Sequence, residues 1–189
     1  MADHAEDSVS QLSHAAMRAA RLDRHIAFIG FMGAGKSTLA ALTARHLGRP
    51  CFDTDELVVQ RAGRSVQDMF SSGEEPLFRR LEREVIEQLL GGPPAVFSLG
   101  GGALEDEGTR AMMFNRAFVV SLAISWREVQ AELPALRETR PLLQDRSEGE
   151  IHDLFLRRQR TYRQAHMRIR LPRGEPSTAV EQLLLVLAR

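Results

Sequence analysis

The chain is short of several things, and each shortage closes off a class of function. It has one cysteine, Cys51, which excludes an internal disulfide framework and any multi-cysteine metal centre. Its net charge is zero, so nothing drives bulk attraction to nucleic acid or to a membrane surface. Its apolar runs fall far short of the ~20 residues needed to span a bilayer. Asp3, Glu6 and Asp7 argue against a transit peptide, and the stretch before the first strand reads as carrying no signal-peptide apolar region. Lysine is nearly absent too: Lys36 is the only one, and every other strongly basic side chain is arginine. What is present, 43% apolar and 26% charged residues over 189 positions, fits one globular domain with a sizeable core. A reducing cytoplasm suits the single thiol.

The solitary lysine stands in the most informative stretch, Gly30-Phe31-Met32-Gly33-Ala34-Gly35-Lys36-Ser37. An apolar run of strand length, His25 to Ile29, precedes it, and Thr38 to Leu42 reads as helix. Strand, glycine loop, Lys-Ser and helix form the phosphate-binding P-loop in its required context. Glycines let the backbone curl so that several N–H groups face a polyphosphate. The helix opening at Lys36 adds the positive end of its dipole. Lys36 reaches the β- and γ-phosphates, and the Ser37 hydroxyl can ligate Mg²⁺. With glycine at about 7% of residues, four fixed positions would coincide by chance in roughly 1% of chains of this length.

Further along, Gly48 ends the first helix, and Pro50 to Asp55 is expected as a short strand ending in two carboxylates. In extended backbone Asp53 and Asp55 would share one face, at the strand end where α/β sheets bind ligands. An Asp-x-Asp is ordinarily a helix cap beside a solvated charge. Next to a P-loop, a metal needs one acid and a hydroxyl nucleophile needs a base. Glu74 to Leu90 is strongly helical, with Leu77, Leu81, Val85 and Leu89 as its apolar stripe. Arg79 and Glu82, off that stripe, could pair and hold a guanidinium rigid for an anion. The strand Ala95 to Leu99 offers Ser98 where many P-loop enzymes carry a metal-binding Asp, which points the metal to Asp53. Gly100, Gly101 and Gly102 then permit close approach to a ligand. Pro134 to Glu150 is polar, proline-broken and arginine-bearing, as a mobile lid requires. Strands alternating with helices predict a three-layer α/β P-loop fold around a parallel sheet. Residues 1–24 read as a loose extension and 25–189 as the domain.

Taken together, Gly-Phe-Met-Gly-Ala-Gly-Lys-Ser-Thr at 30–38, Phe-Asp-Thr-Asp at 52–55, Phe-Arg-Arg-Leu-Glu at 78–82, Ser-Leu-Gly-Gly-Gly-Ala at 98–103, Arg-Pro-Leu-Leu at 140–143 and Tyr-Arg at 162–163 resemble the shikimate kinase family. The resemblance implies a nucleoside-monophosphate-kinase-like fold with a five-stranded parallel sheet. It also implies ATP-dependent phosphorylation of the shikimate 3-hydroxyl, in the route to chorismate and the aromatic amino acids. It puts ATP on Gly33, Ala34, Gly35, Lys36, Ser37 and Thr38, with Arg140 as the lid arginine. Asp55 becomes the base that holds the substrate hydroxyl, while Ser37 and Asp53 lie on the Mg²⁺ side. Arg79 and Arg163 are expected on the shikimate carboxylate, with Gly101 and Gly102 against the ring. The chain departs from the family at Leu133, where an earlier lid arginine is common, and matches only loosely over Arg173-Gly174-Glu175-Pro176. A cytoplasmic monomer acting on small molecules is the expectation. The alternatives are a gluconate or cyclitol kinase, and a catalytically silent ligand sensor. Two arginines for a carboxylate, and intact Lys36, Asp53 and Asp55, weigh against them.

Overall fold

The structure, a computed structural model, describes residues 24–171 and 176–188. The extension expected at the N-terminus and the stretch Arg173 to Glu175 lie outside them. Five strands form one all-parallel sheet in the order β2-β3-β1-β4-β5: β1 (His25–Gly30), β2 (Cys51–Asp53), β3 (Val96–Ser98), β4 (Ala117–Ala123) and β5 (Met167–Arg170). β1 is fully buried, as the middle strand of a sheet covered on both faces must be. One face is covered by α1 (Lys36–Leu47) and α9 (Pro176–Leu187), whose Leu39, Ala40, Val180 and Leu183 pack on Ile26, Phe28 and Val120. The opposite face takes α4 (Glu75–Leu90), α5 (Glu107–Arg116), α6 (Trp126–Thr139) and α8 (Glu148–Tyr162), around Ile29, Phe31, Phe97 and Val119. Two short helices, α2 (Thr54–Ala62) and α3 (Val66–Ser71), join α4 in a satellite cluster of Val58, Met69, Phe78 and Val85. No helix among the described residues is long and apolar enough to cross a membrane.

Three local expectations change. The strand expected over Pro50 to Asp55 stops at Asp53, and Asp55 lies in the first turn of α2. Asp53 is the N-cap: its Oδ1 accepts from the Asp55 backbone N–H at 3.1 Å, so the cap and the functional carboxylate are one residue. The stretch expected as an irregular lid is mostly helical. α6 runs through Pro134 to Thr139 and is followed by α7 (Pro141–Gln144), with α8 starting at Glu148. Pro134 removes one helical N–H, but a Ser125–Glu128 capping box starts the helix, and Leu133, Leu136 and Leu143 are buried. Along α4 the buried face is Phe78, Glu82, Val85, Ile86 and Leu90. It is rotated from the leucine stripe, so Glu82 points inward rather than to solvent.

Candidate active site

The site lies where the strand order turns back, above the C-terminal ends of β1, β2 and β3. Parallel register aligns Asp53 with Ser98, the last residues of β2 and β3, while β1 runs two residues past Phe28, the partner of Ser98, to Gly30 at the start of the P-loop. The P-loop curls over the site. Gly35 caps α1 at φ 84° and contributes no side-chain cap, and no acidic residue occupies the first turn. The first N–H groups of α1 are therefore left to a ligand. The Lys36 ammonium donates to the Phe31 carbonyl at 3.3 Å. Burial above all, with Arg140 adding to it against the opposing pull of Asp55 and Asp53, lowers its pKa to about 8. The Ser37 hydroxyl donates to Asp53 Oδ2 at 2.8 Å and lies 3.1 Å from Ser98 Oγ. This is a set of hard oxygen donors beside a phosphate cradle, which is what Mg²⁺ takes.

Next to the P-loop opens a cavity of about 310 Å³, lined by Asp55, Arg79, Glu82, Gly100, Gly101, Gly102, Arg140 and Arg158, with Met32, Phe70, Phe78 and Leu142 among its apolar walls. Thr54, fully buried, locks one wall to the other: its hydroxyl donates to the Ser98 carbonyl and accepts from the Gly100 N–H. Among the described residues, neither Asp55 Oδ1 nor Glu82 Oε1 has a hydrogen-bond partner, and both are buried. Both face Gly100: a methyl group there would fall on Asp55 Oδ1 and stand 2.6 Å from Glu82 Oε1, so glycine alone leaves room for the two carboxylates. Burial raises the Asp55 pKa, with the Asp53 charge adding to it, while Lys36, Arg140 and Arg79 pull it down. Burial likewise lifts Glu82 to about 7, although Arg79 opposes it.

Across the cavity two guanidinium groups converge. Arg79 donates to Glu82 Oε2 at 2.8 Å and to Glu75 on its other side. Arg158, 4% exposed, donates from Nε to Glu105 Oε1 at 2.6 Å. A methyl group on Gly102 would stand 2.7 Å from Arg79 Nη2 and 2.9 Å from Arg158 Nη2. Like charges converge on one point only where an anion is to sit. Tyr162, whose pKa burial pushes up to about 12, donates to the Gly101 carbonyl at 2.7 Å and pins the glycine turn.

Most of the residues expected in the site come together: Lys36, Ser37, Asp53, Asp55, Arg79, Gly101, Gly102 and Arg140. Gly33 and Thr38 are exposed on the P-loop and Ala34 is buried beneath it. Arg163 does not join them. It is exposed, follows the last turn of α8 and does not line the cavity. Its expected place is taken by Arg158. The signal was in the helical spacing: Ile151, Phe155, Arg158 and Tyr162 follow i+4, i+3, i+4 along the buried face of α8, and a buried arginine demands a partner.

Comparison with known proteins settles the kinship. The family model for shikimate kinase matches residues 32–188. The chain belongs to the shikimate kinase family. A shikimate kinase from Xylella fastidiosa is 39% identical over 163 residues, covering 85% of this chain and 90% of its own. One from Geobacillus kaustophilus is 37% identical over 164 residues, covering 86% and 87%. The solved shikimate kinase from Acinetobacter baumannii, in complex with shikimate, superposes with a TM-score of 0.80 at 29% identity, over 88% of this chain and 93% of that one.

Proposed function

We propose that the chain transfers the γ-phosphoryl group of Mg-ATP to the 3-hydroxyl of shikimate, releasing shikimate 3-phosphate and ADP. The observation that carries this reading is the pairing, in one cavity, of two converging guanidinium groups with an unpartnered buried carboxylate oxygen on Asp55. A small ring acid placed between them has its carboxylate held at one end and a hydroxyl offered to Asp55 at the other. The cavity, about 310 Å³, suits a ligand of that size.

Arg79 and Arg158 grip the substrate carboxylate through charge-assisted hydrogen bonds. Asp55 accepts the proton of the attacking hydroxyl; its raised pKa keeps it a stronger base than a solvated carboxylate. The hydroxyl oxygen then bonds to the γ-phosphorus as the bridge to the β-phosphate breaks, and the electron pair leaves with ADP. Lys36 and Arg140 face the charge that develops on the phosphoryl oxygens. Ser37 and Asp53 would hold Mg²⁺, which when bound would neutralise phosphate charge. Closure of the α6–α7 segment over the phosphates would exclude water. The test is ATP consumption measured side by side with shikimate, quinate and gluconate. Shikimate is expected to give the highest kcat/KM by a wide margin; a preference for gluconate would reassign the substrate.

A further inference from the structure

Arg158 carries its charge with the side chain almost fully buried, and among the described residues its one ion pair is with Glu105. Glu105 stands in the turn that follows the three glycines. Its backbone N–H donates to the Gly102 carbonyl at 2.9 Å, and the Ala103 N–H donates to that of Gly100 at 3.1 Å. The fold of the glycine turn thus carries the Glu105 carboxylate to the Arg158 side chain. The bond is made to Nε, at 2.6 Å, and this choice of atom decides the orientation. A carboxylate at Nε occupies the side edge of the planar guanidinium and leaves the end edge, formed by the two Nη groups, free for another partner. Here they lie over the glycines: methyl groups on Gly101 and Gly102 would stand 3.0 Å from Nη1 and 2.9 Å from Nη2.

We propose that Glu105 is a positioning residue for Arg158, fixing its Nη edge toward the substrate carboxylate; this rests on the function proposed above. Without a backing charge, Arg158 would be repelled by Arg79, whose Nη groups reach the same point over Gly102. Arg79 has its own backing in Glu82 and Glu75. Glu105 supplies the equivalent on the α8 side. The two arginines nonetheless differ. Glu82 is itself buried, whereas the Glu105 side chain is 53% exposed, so it can be replaced without opening the core. A second tie, from the Tyr162 hydroxyl to the Gly101 carbonyl, keeps α8 attached to the glycine turn when the first is cut.

Four variants test this: Glu105→Ala, Glu105→Gln, Arg158→Ala and the Glu105→Ala/Arg158→Ala double, each assayed with ATP and shikimate after its melting temperature is checked. Glu105→Ala should raise KM for shikimate about tenfold, the scale of one lost charge-assisted hydrogen bond, with kcat within threefold and KM for ATP unchanged. Glu105→Gln keeps an oxygen to accept from Nε and should recover most of the loss. The double variant should be no worse than Arg158→Ala, because a positioning residue has nothing left to position. An unchanged or lowered KM in Glu105→Ala, a Gln variant no better than Ala, or additive losses in the double variant would each overturn the proposal. If Arg158→Ala raises KM and Glu105→Ala does not, Glu105 alone is misassigned. If the unaltered protein fails to turn over shikimate, the functional reading falls and this proposal with it.

Discussion

The two ends of the sheet treat buried polar atoms in opposite ways. At the N-terminal end His25, 6% exposed, is fully occupied: Nδ1 accepts from the Ala95 N–H at 3.2 Å, its ring stacks on Phe97, and it also bonds the Leu90 backbone. Arg24 donates there to the Phe114 and Ala117 carbonyls. His166 repeats the pattern with a more exposed ring, accepting from the Val119 N–H at 2.9 Å. At the C-terminal end, Asp55 and Glu82 each keep a buried oxygen without a partner. Burial without hydrogen bonding costs stability, and a fold accepts that cost where a ligand supplies the missing bond. Thr43 Oγ1 and Gln159 Nε2 are likewise buried without a partner among the described residues, so what marks the site is an unpartnered carboxylate rather than any unsatisfied polar atom.

The sharpest way to break this contrast is at Asp55. Asp55→Asn keeps shape and removes basicity, and kcat should fall by roughly 10²–10⁴ with the fold intact. Asp53→Asn should behave differently, needing more Mg²⁺ for half-maximal rate and recovering in part when metal is in excess. A Mg²⁺ titration of both variants at saturating substrates decides; metal rescue of Asp55→Asn, and none for Asp53→Asn, would reverse the two roles.

Glu82 tests the contrast through stability. Its pKa rises from 4.5 to about 7 on folding, so the folded state binds the proton more tightly than the unfolded state does. The resulting stabilisation is present below about pH 4.5 and is lost as pH climbs through 7. In the ligand-free protein, the melting temperature of Glu82→Gln relative to the unaltered chain should therefore rise across that window. A difference that does not change with pH would mean that Oε1 also has a partner, beside the one Arg79 gives Oε2.

The smallest effect belongs to the occupied end. Burial, chiefly, lowers the His25 pKa from 6.5, so its contribution is full above that value and lost as pH falls below it. His25→Asn, whose amide oxygen can still accept from Ala95, should flatten the acid limb of the stability profile by about 1 kcal/mol or less, and leave kcat at neutral pH unchanged. A drop in kcat would show that the two ends are coupled.

How much of this was legible beforehand depended on whether a feature was local in the chain. The P-loop was readable because strand, glycines, Lys36 and helix are covalent neighbours, and the Gly48 stop followed from the same local grammar. Ser98 in place of an acid directed attention to Asp53, and the two sit at strand ends that register together. Arg158 was missed because its role depends on how α8 rotates against the glycine turn, which no single segment encodes. The inward Glu82 was hidden for the same reason: it stands in a run rich in charge, Arg79 to Glu84, and only packing shows it facing Gly100. The helical course through Pro134 was concealed by a residue that usually ends helices, outweighed here by buried leucines on either side.

The only tryptophan in the chain opens α6, the helix that leads to Arg140, and its ring lies 4.6 Å from that of His152 and 5.6 Å from that of Phe155, both on α8. One indole thus spans the seam between the arm that carries the phosphate-side arginine and the helix that carries Arg158. Any slip of one helix along the other changes what surrounds that ring, so the protein's native fluorescence, excited at the red edge, is an unlabelled gauge of the distance between its two substrate grips.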